Sequence, residues 1–181
     1  LLFYHADIKG AFLTGKRMEV LRAIVEKKGR EAITVVTTMD AFLDGLPSKE
    51  ELCGNRIKIH AEEALDFQKL QENLSILGYE REIQVESPGQ FAVRGGFLDV
   101  FPLTEENPVR IELWGDEVDS IRSFDVESQR STENLQEIEI YPATENWKQM
   151  ETESFLAYFP VKGTILFLDE PVRLQESAEI V

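Results

Sequence analysis

"FAVRGGFLDVFPLTEENPVRIELWGDEVDSIRSFDVESQRS", residues 91–131, decides how the chain is read. Strand-like runs follow one another at short spacing here: "QFAVRGGFLDVFP" (90–102), "VRIELW" (109–114) and "EVDSIRSFD" (117–125). Their separators, "LTEENP" and "GD", are turn chemistry, so the stretch is expected to be an antiparallel meander. Strict alternation along "FAVRGGFLDVF" would put Arg94 on the same face as Leu98 and Val100, an unpaired charge in a core. A bulge at Gly95–Gly96 adds a residue and flips the phase. Val93, Leu98 and Val100 then face inward, and Arg94, Phe97, Asp99 and Phe101 outward. On the next strand Val109, Ile111 and Leu113 face inward, leaving Arg110, Glu112 and Trp114 outward. A hairpin through "LTEE" would gather Arg94, Arg110, Phe97, Phe101 and Trp114 on one exposed face.

Outward from this stretch, "YEREIQVE" (79–86) adds a strand before it and "LQEIEIYP" (135–142) one after it. "NRIKIH" (55–60) alternates like a strand, and "LDFQKLQENLSILG" (65–78) places Phe67, Leu70, Leu74 and Leu77 at helical spacing, with Asp66 as N-cap and Gly78 as C-cap. Residues 51–143 therefore read as a small antiparallel α+β domain. The flanks read differently. "LLFY" (1–4) and the β-branched "AITVVTT" (32–38) look like buried strands, and the Met18, Leu21, Val25 stripe like a helix ended by Gly29. "TMDAFLDGL" reads as a short helix. "ESFLAYFP" (153–160) follows as a short helix, "GTILFLDEP" (163–171) as an apolar strand, and "VRLQESAEIV" as a helix start. Strand and helix in alternation suggest a parallel α/β sheet. Its first part is expected at 1–50 and its return at 144–181, with the meander inserted.

The 181 residues carry a net charge of −15. So acidic a surface repels nucleic-acid phosphates unless basic groups are gathered locally, and a protein partner is the expected one. A single cysteine, Cys53, excludes an internal disulfide and fits a reducing cytoplasm. His5 and His60 stand far apart with no cysteine at metal-ligand spacing, so neither a metal nor another cofactor is expected. No apolar run has the length of a membrane span. The absence of a starting Met leads us to expect a piece of a longer chain.

Two stretches mimic an ATPase. "GAFLTGKR" (10–17) matches a phosphate loop as far as the lysine, but Arg17 stands where a magnesium-binding hydroxyl belongs, and bulky Phe12 and Leu13 crowd the loop. It is expected to be an ordinary loop leading into the Met18 helix. "ILFLDE" (165–170) resembles the acidic strand end of a motor ATPase. With no phosphate loop those acids have no nucleotide to serve, and Asp169 is expected to cap the following helix. The chain is not expected to be an enzyme.

The motifs RGG-x-L-D-x-[FY]-P, P-[VI]-R-I-E and G-D-E-V-D-S-I-R-x-F-D-x-x-[ST]-Q-R-[ST] run in order through residues 94–131. They closely resemble the second domain of the transcription-repair coupling factors (Mfd), and more distantly the matching domain of the excision-repair helicase UvrB. "KRMEVLRAI", "VVTTMDAF", "SFLAYFP" and "ILFLDEP" resemble the family's first domain, a degenerate helicase-like (RecA-like) parallel α/β fold. The resemblance implies a docking surface for UvrA, with Arg94, Arg110 and Trp114 at the family's contact positions. It also implies a motor using ATP and magnesium elsewhere in the parent protein, contacts of that parent with RNA polymerase and DNA, a C-terminal domain that covers the docking face until the motor engages DNA, and a bacterial cytoplasmic setting. One departure is the short link between "EIYP" and "SFLAYFP", which puts the surface near 143–153 in question.

Arginine and large aromatics dominate protein-interface hot spots, and a basic-aromatic patch on an acidic chain suits an acidic partner surface. Other readings stand beside this one. Trp114 would be a core residue if it lay under helices of the first domain, and Arg110 a structural residue if it paired with Asp99 or Glu112. An ATP-dependent DNA-strand enzyme of the UvrB type would need the missing phosphate loop. A nucleic-acid-binding module would use the same arginines for phosphates and Trp114 for stacking.

Overall fold

The computed structural model describes residues 4–26, 32–143 and 152–178. Two compact units are formed, one from Leu1–Leu21 with Gly54–Glu145, the other from Arg22–Cys53 with Asn146–Val181.

The first unit begins in helix α1 (Tyr4–Val25), which runs on into the second. Tyr4, expected in a strand, is helical, while residues 1–3 of that expected strand lie outside the described residues. The phosphate-loop mimic is not a loop either: residues 10–17 lie wholly within α1. Gly15 is buried there, and a Cβ on it would stand 3.0 Å from the Leu103 carbonyl oxygen, so its role is close packing of helix on chain. Met18 and Leu21 are buried as their spacing predicts.

Helices α2 (Met39–Leu43) and α3 (Lys49–Gly54) belong to the second unit. Ser48 and Glu51 cap α3 reciprocally, each backbone N–H donating to the other's side chain at 3.1 Å. Strand β1 (Ile57–His60) opens the meander unit, and helix α4 (Phe67–Ile76) follows. The Asp66 carboxylate accepts from Lys69 N–H at 2.9 Å, as a cap should. At the other end Gly78 has φ +87°, and the N–H groups of Gly78 and Tyr79 turn back to the carbonyls of Ser75 and Leu74. That is the paired hydrogen bonding of a Schellman ending, which a Cβ at Gly78 would strain.

Then come β2 (Glu80–Arg81), β3 (Gln90–Arg94), β4 (Phe97–Val100), β5 (Val109–Trp114), β6 (Glu117–Phe124), β7 (Ser131–Leu135) and β8 (Glu137–Ile140). Strands β2 to β7 form one six-stranded sheet in sequence order, parallel only between β2 and β3. Strand β8 leaves it to pair antiparallel with β1, Ile57 opposite Ile140 and Ile59 opposite Ile138. The expected strand at 135–142 is thus divided between two sheets. Gly95–Gly96 is also not a bulge. It is the two-residue turn of a β3–β4 hairpin, with φ +57° at Gly95, and Arg94 pairs directly with Phe97 across it. The facing inferred from a bulge survives, because partners opposite each other in the register share a face. Gly115–Asp116 makes the corresponding turn between Trp114 and Glu117.

One face of the sheet packs on α4 and on the β1–β8 pair. Leu70, Leu74, Phe91, Leu98, Val100, Val109, Ile111, Val118 and Ile121 form this core with Ile59, Ile138 and Ile140. Phe67 lies at its margin. The buried Tyr79 hydroxyl donates to the Tyr141 carbonyl at 2.9 Å, which closes the unit on itself.

Among the described residues of the second unit no parallel sheet is formed. Residues 32–38 and 164–168 are in no strand, and they are largely exposed, with Val36 at 92% and Phe167 at 87%. A β-branched or apolar run becomes a buried strand only where neighbouring strands supply hydrogen bonds and cover, and the described residues of this unit supply none. What packs there is smaller. Leu46 and Glu153 exchange backbone hydrogen bonds, and Tyr158, in a 3₁₀ turn Phe155–Tyr158, donates to the Pro47 carbonyl at 2.6 Å. Helix α5 (Pro171–Ala178) starts where Leu174 N–H donates to the Glu170 carbonyl, which puts Glu170, not Asp169, at the cap. Most of the link at 143–153 lies outside the described residues.

Candidate functional site: an arginine-aromatic sheet face

The face of the sheet turned away from the core is set by the register. Ala92, Asp99, Arg110, Arg122 and Asn134 follow one another across β3 to β7, and Arg94, Phe97, Glu112 and Ser120 form the next row. Trp114 opposite Glu117 continues the face toward the Gly115 turn. Four of the five predicted residues, Arg94, Phe97, Arg110 and Trp114, therefore come together. Phe101 does not join them as an exposed group. Alternation puts it on this face, but only 7% of it is exposed, because it packs with Val85 and Ala92, and with the half-buried Val126. The loops on either side of the sheet roof over this end, which no alternation pattern can report.

Arg110 is held on three sides. Its Nε and Nη2 donate to the two carboxylate oxygens of Asp99 at 2.7 and 2.8 Å, a bidentate pair. The guanidinium lies over the ring of Phe97 at 4.6 Å and that of Phe124 at 4.8 Å. The hydrogen bond to Asp99 raises the Arg110 pKa, against the opposing effect of burial and with help from the charges of Asp99 and Glu112. Arg110 and Arg122 are directly opposite in the register, a repulsive placement. Each is answered by its own acid, Arg110 by Asp99 and Arg122 by Glu112, whose oxygen also accepts from Ser120.

Arg94 has no such answer. It is half-buried, and its Nε and Nη2 are both shielded from solvent with no hydrogen-bond partner. A buried donor left unmade costs about 1–3 kcal/mol, more when charged, so this side chain gains by turning outward to an external acceptor. Trp114 is 83% exposed at the same end of the sheet. Among the described residues, no group of three or more His, Cys, Asp or Glu side chains is placed to hold a metal ion.

The pairing of Asp99 with Arg110, one of the alternatives read from the sequence, is made by the pairing of β4 with β5. One member of the face escaped the sequence reading: Phe124, two residues beyond Arg122 on the same face of β6, reaches Arg110 through the pairing of β5 with β6.

Residues 57–146, which span the whole six-stranded sheet and the β1–β8 pair, match the family model described as the UvrB interaction domain. Over these residues the chain is similar to the UvrB interaction domain family. It is also similar to transcription-repair-coupling factors, at 41% identity over 133 residues to that of Bacillus subtilis strain 168 and at 36% over 133 residues to that of Staphylococcus aureus strain bovine RF122 / ET3-1. These alignments take in 74% of this chain and 11% of each relative's own length. What the chain matches by family model is an interaction module, not a motor domain. No helix among the described residues is long and apolar enough to cross a membrane.

Proposed function

We propose that the UvrB interaction domain of this chain docks UvrA through the face built by Arg94, Phe97, Arg110 and Trp114, and so recruits nucleotide excision repair to stalled transcription. The observation that carries this reading is Arg94: a guanidinium edge buried against the sheet, without an acceptor, at the same end of the face as a highly exposed tryptophan. Once the Arg94 side chain turns outward, an acidic side chain of the partner would supply the missing acceptor bidentately, and Trp114 would fill a pocket of the partner. Phe101, being buried, is left out of the contact. Docking needs no nucleotide, and the ATP-driven motor, the contacts with RNA polymerase and DNA, and a C-terminal domain that covers the face belong to the longer protein of the bacterial cytoplasm. In that protein residues 32–38 and 164–168 would be strands of a helicase-like sheet. What supports this last assignment is their apolar, β-branched composition and their exposure here.

The test is titration calorimetry of the chain with purified UvrA, without DNA or ATP. Wild type is expected to bind, with Arg94→Ala and Trp114→Ala each losing about 1–4 kcal/mol while remaining folded. Equal binding by both variants would sink the docking face. Binding to DNA that weakens steeply with salt, with none to UvrA, would replace it by a nucleic-acid surface.

A further inference from the structure

The docking face contains a fully buried charge. Asp99 is 1% exposed, between Leu98 and Val100 on β4, with Ala92 opposite it on one neighbouring strand and Arg110 on the other. A buried ion pair of this kind is commonly replaced by apolar residues of similar volume at no cost in stability, or with a gain. Phe101, Val85 and Ala92 already form an apolar cluster at this end of the same face, so apolar residues in place of both Asp99 and Arg110 would extend it. The carboxylate does something an apolar side chain would not: it fixes the plane of the Arg110 guanidinium.

We propose that Asp99 is a positioning residue of the docking face, which acts by holding Arg110 in its binding orientation before the partner arrives. Both carboxylate oxygens are spent on Arg110, one on Nε and one on Nη2. The guanidinium carbon lies over the rings of Phe97 and Phe124 at 4.6 and 4.8 Å, and Gln129 Oε1 stands 3.5 Å from Nη2. Nη1 alone makes no hydrogen bond within the described residues. A free arginine on a surface loses much of its rotamer freedom when it is captured, whereas one already locked in the folded domain has given that freedom up beforehand. Arg110 thus offers Nη1 in a fixed direction, while Arg94 keeps an unpartnered, buried Nε/Nη2 edge beside Phe97. The two arginines divide the work, one preset and one waiting for its acceptor.

This inference rests on the UvrA docking reading, and its test separates the two. Asp99→Asn, Arg110→Ala and the double variant are titrated with UvrA, while the arginine Nε–H signals of the unbound chain are followed by ¹⁵N relaxation and hydrogen exchange. Asp99→Asn is expected to weaken binding about tenfold in the wild-type background and to change it less than about twofold when Arg110 is already alanine. The Arg110 Nε–H is expected to be rigid and protected in wild type, unlike that of Arg94, and to lose protection in Asp99→Asn. Folded Asp99→Asn that binds like wild type overturns the proposal, as does an equal loss in both backgrounds. Should Asp99→Asn not fold, the wild-type signal still decides: an Arg110 Nε–H as mobile as that of Arg94 overturns the lock. Wild type that does not bind UvrA overturns the docking reading and the positioning role with it, whatever the Nε–H signal shows.

Discussion

Arg94 and Phe97 stand directly opposite each other as the last pair of the β3–β4 hairpin, joined only by Gly95 and Gly96. An unpartnered guanidinium edge and an aromatic ring are thereby fixed side by side at the end of a sheet, on backbone that has no freedom to separate them. The turn that does this depends on Gly95, whose φ of +57° lies in the left-handed region. A Cβ there would meet nothing within 4 Å, so substitution is resisted by backbone strain and not by crowding. Gly95→Ala is expected to cost about 1 kcal/mol. Thermal unfolding checks this: a drop of about 4–8 °C is expected for a domain of this size. An unchanged melting temperature would mean that the turn is not held in this conformation.

Trp114 and Phe101 were grouped by the sequence reading, and the structure parts them, which gives opposite expectations. Trp114, 83% exposed, should tolerate alanine with a stability change within about 0.5 kcal/mol, while the affinity for UvrA falls by about 2 kcal/mol or more. Phe101, 7% exposed, should cost about 3–5 kcal/mol of stability as alanine. Denaturant midpoints of the two variants measure the contrast, and similar values for both would contradict the burial assigned here.

The β1–β8 pair carries an acid-sensitive contact. Burial by itself would raise the Glu139 pKa, but the hydrogen bond from Lys58, the charges of Arg56 and Lys58 and the Tyr141 hydroxyl outweigh it, and the net shift is downward. Arg56 Nη1 lies 3.3 Å from one carboxylate oxygen, and Lys58 Nζ contacts the other. A carboxyl whose folded pKa is depressed contributes stability above its ordinary value of 4.5, and that contribution is lost as the pH falls through the folded value. Unfolding free energy followed from pH 6 downward should decline in this window, and Glu139→Gln should flatten the decline. Superimposable slopes would show that the contact is not linked to folding.

Tyr158 makes the second unit sensitive to base. Burial, with the charges of Glu153, Cys53, Glu50 and Glu51, pushes its phenol from 10.0 up to about 12. The neutral form is the one that donates to the Pro47 carbonyl, so the stabilisation is complete below pH 10.0 and is lost as the pH rises through about 12. Tyr158→Phe should remove this alkaline dependence at the expense of the hydrogen bond. Circular dichroism titrated between these limits would reveal an unchanged transition if Tyr158 were not its source.

The arrangement of the meander was legible because its signals are local. Alternation of period two assigned Val93, Leu98, Val100, Val109 and Ile111 to the core face, and the Gly115–Asp116 turn needed no knowledge of distant chain. Helix α4 was equally plain, with its stripe, its Asp66 cap and its Gly78 ending. Even the mistaken bulge at Gly95–Gly96 left the facing of Arg94 intact, since a hairpin turn and a phase-flipping bulge lead to the same alternation on the far side. The failures share a different cause. Residues 32–38 and 164–168 have strand composition without strands to pair with among the described residues, and residues 10–17 resemble a phosphate loop yet continue a helix.

The sequence by itself determined which residues could share the outer face, because strand alternation and turn chemistry are properties of neighbours in the chain. Only the tertiary structure decided what each of them does there. Whether Arg110 is locked or free depends on Asp99 and Phe124, eleven and fourteen positions away in the chain and brought to it by strand pairing. Whether Phe101 is exposed depends on Val85 and Val126, which reach it from loops on either side. Burial and charge compensation are sums over spatial neighbours, and a pattern of period two carries no information about which distant side chains those will be.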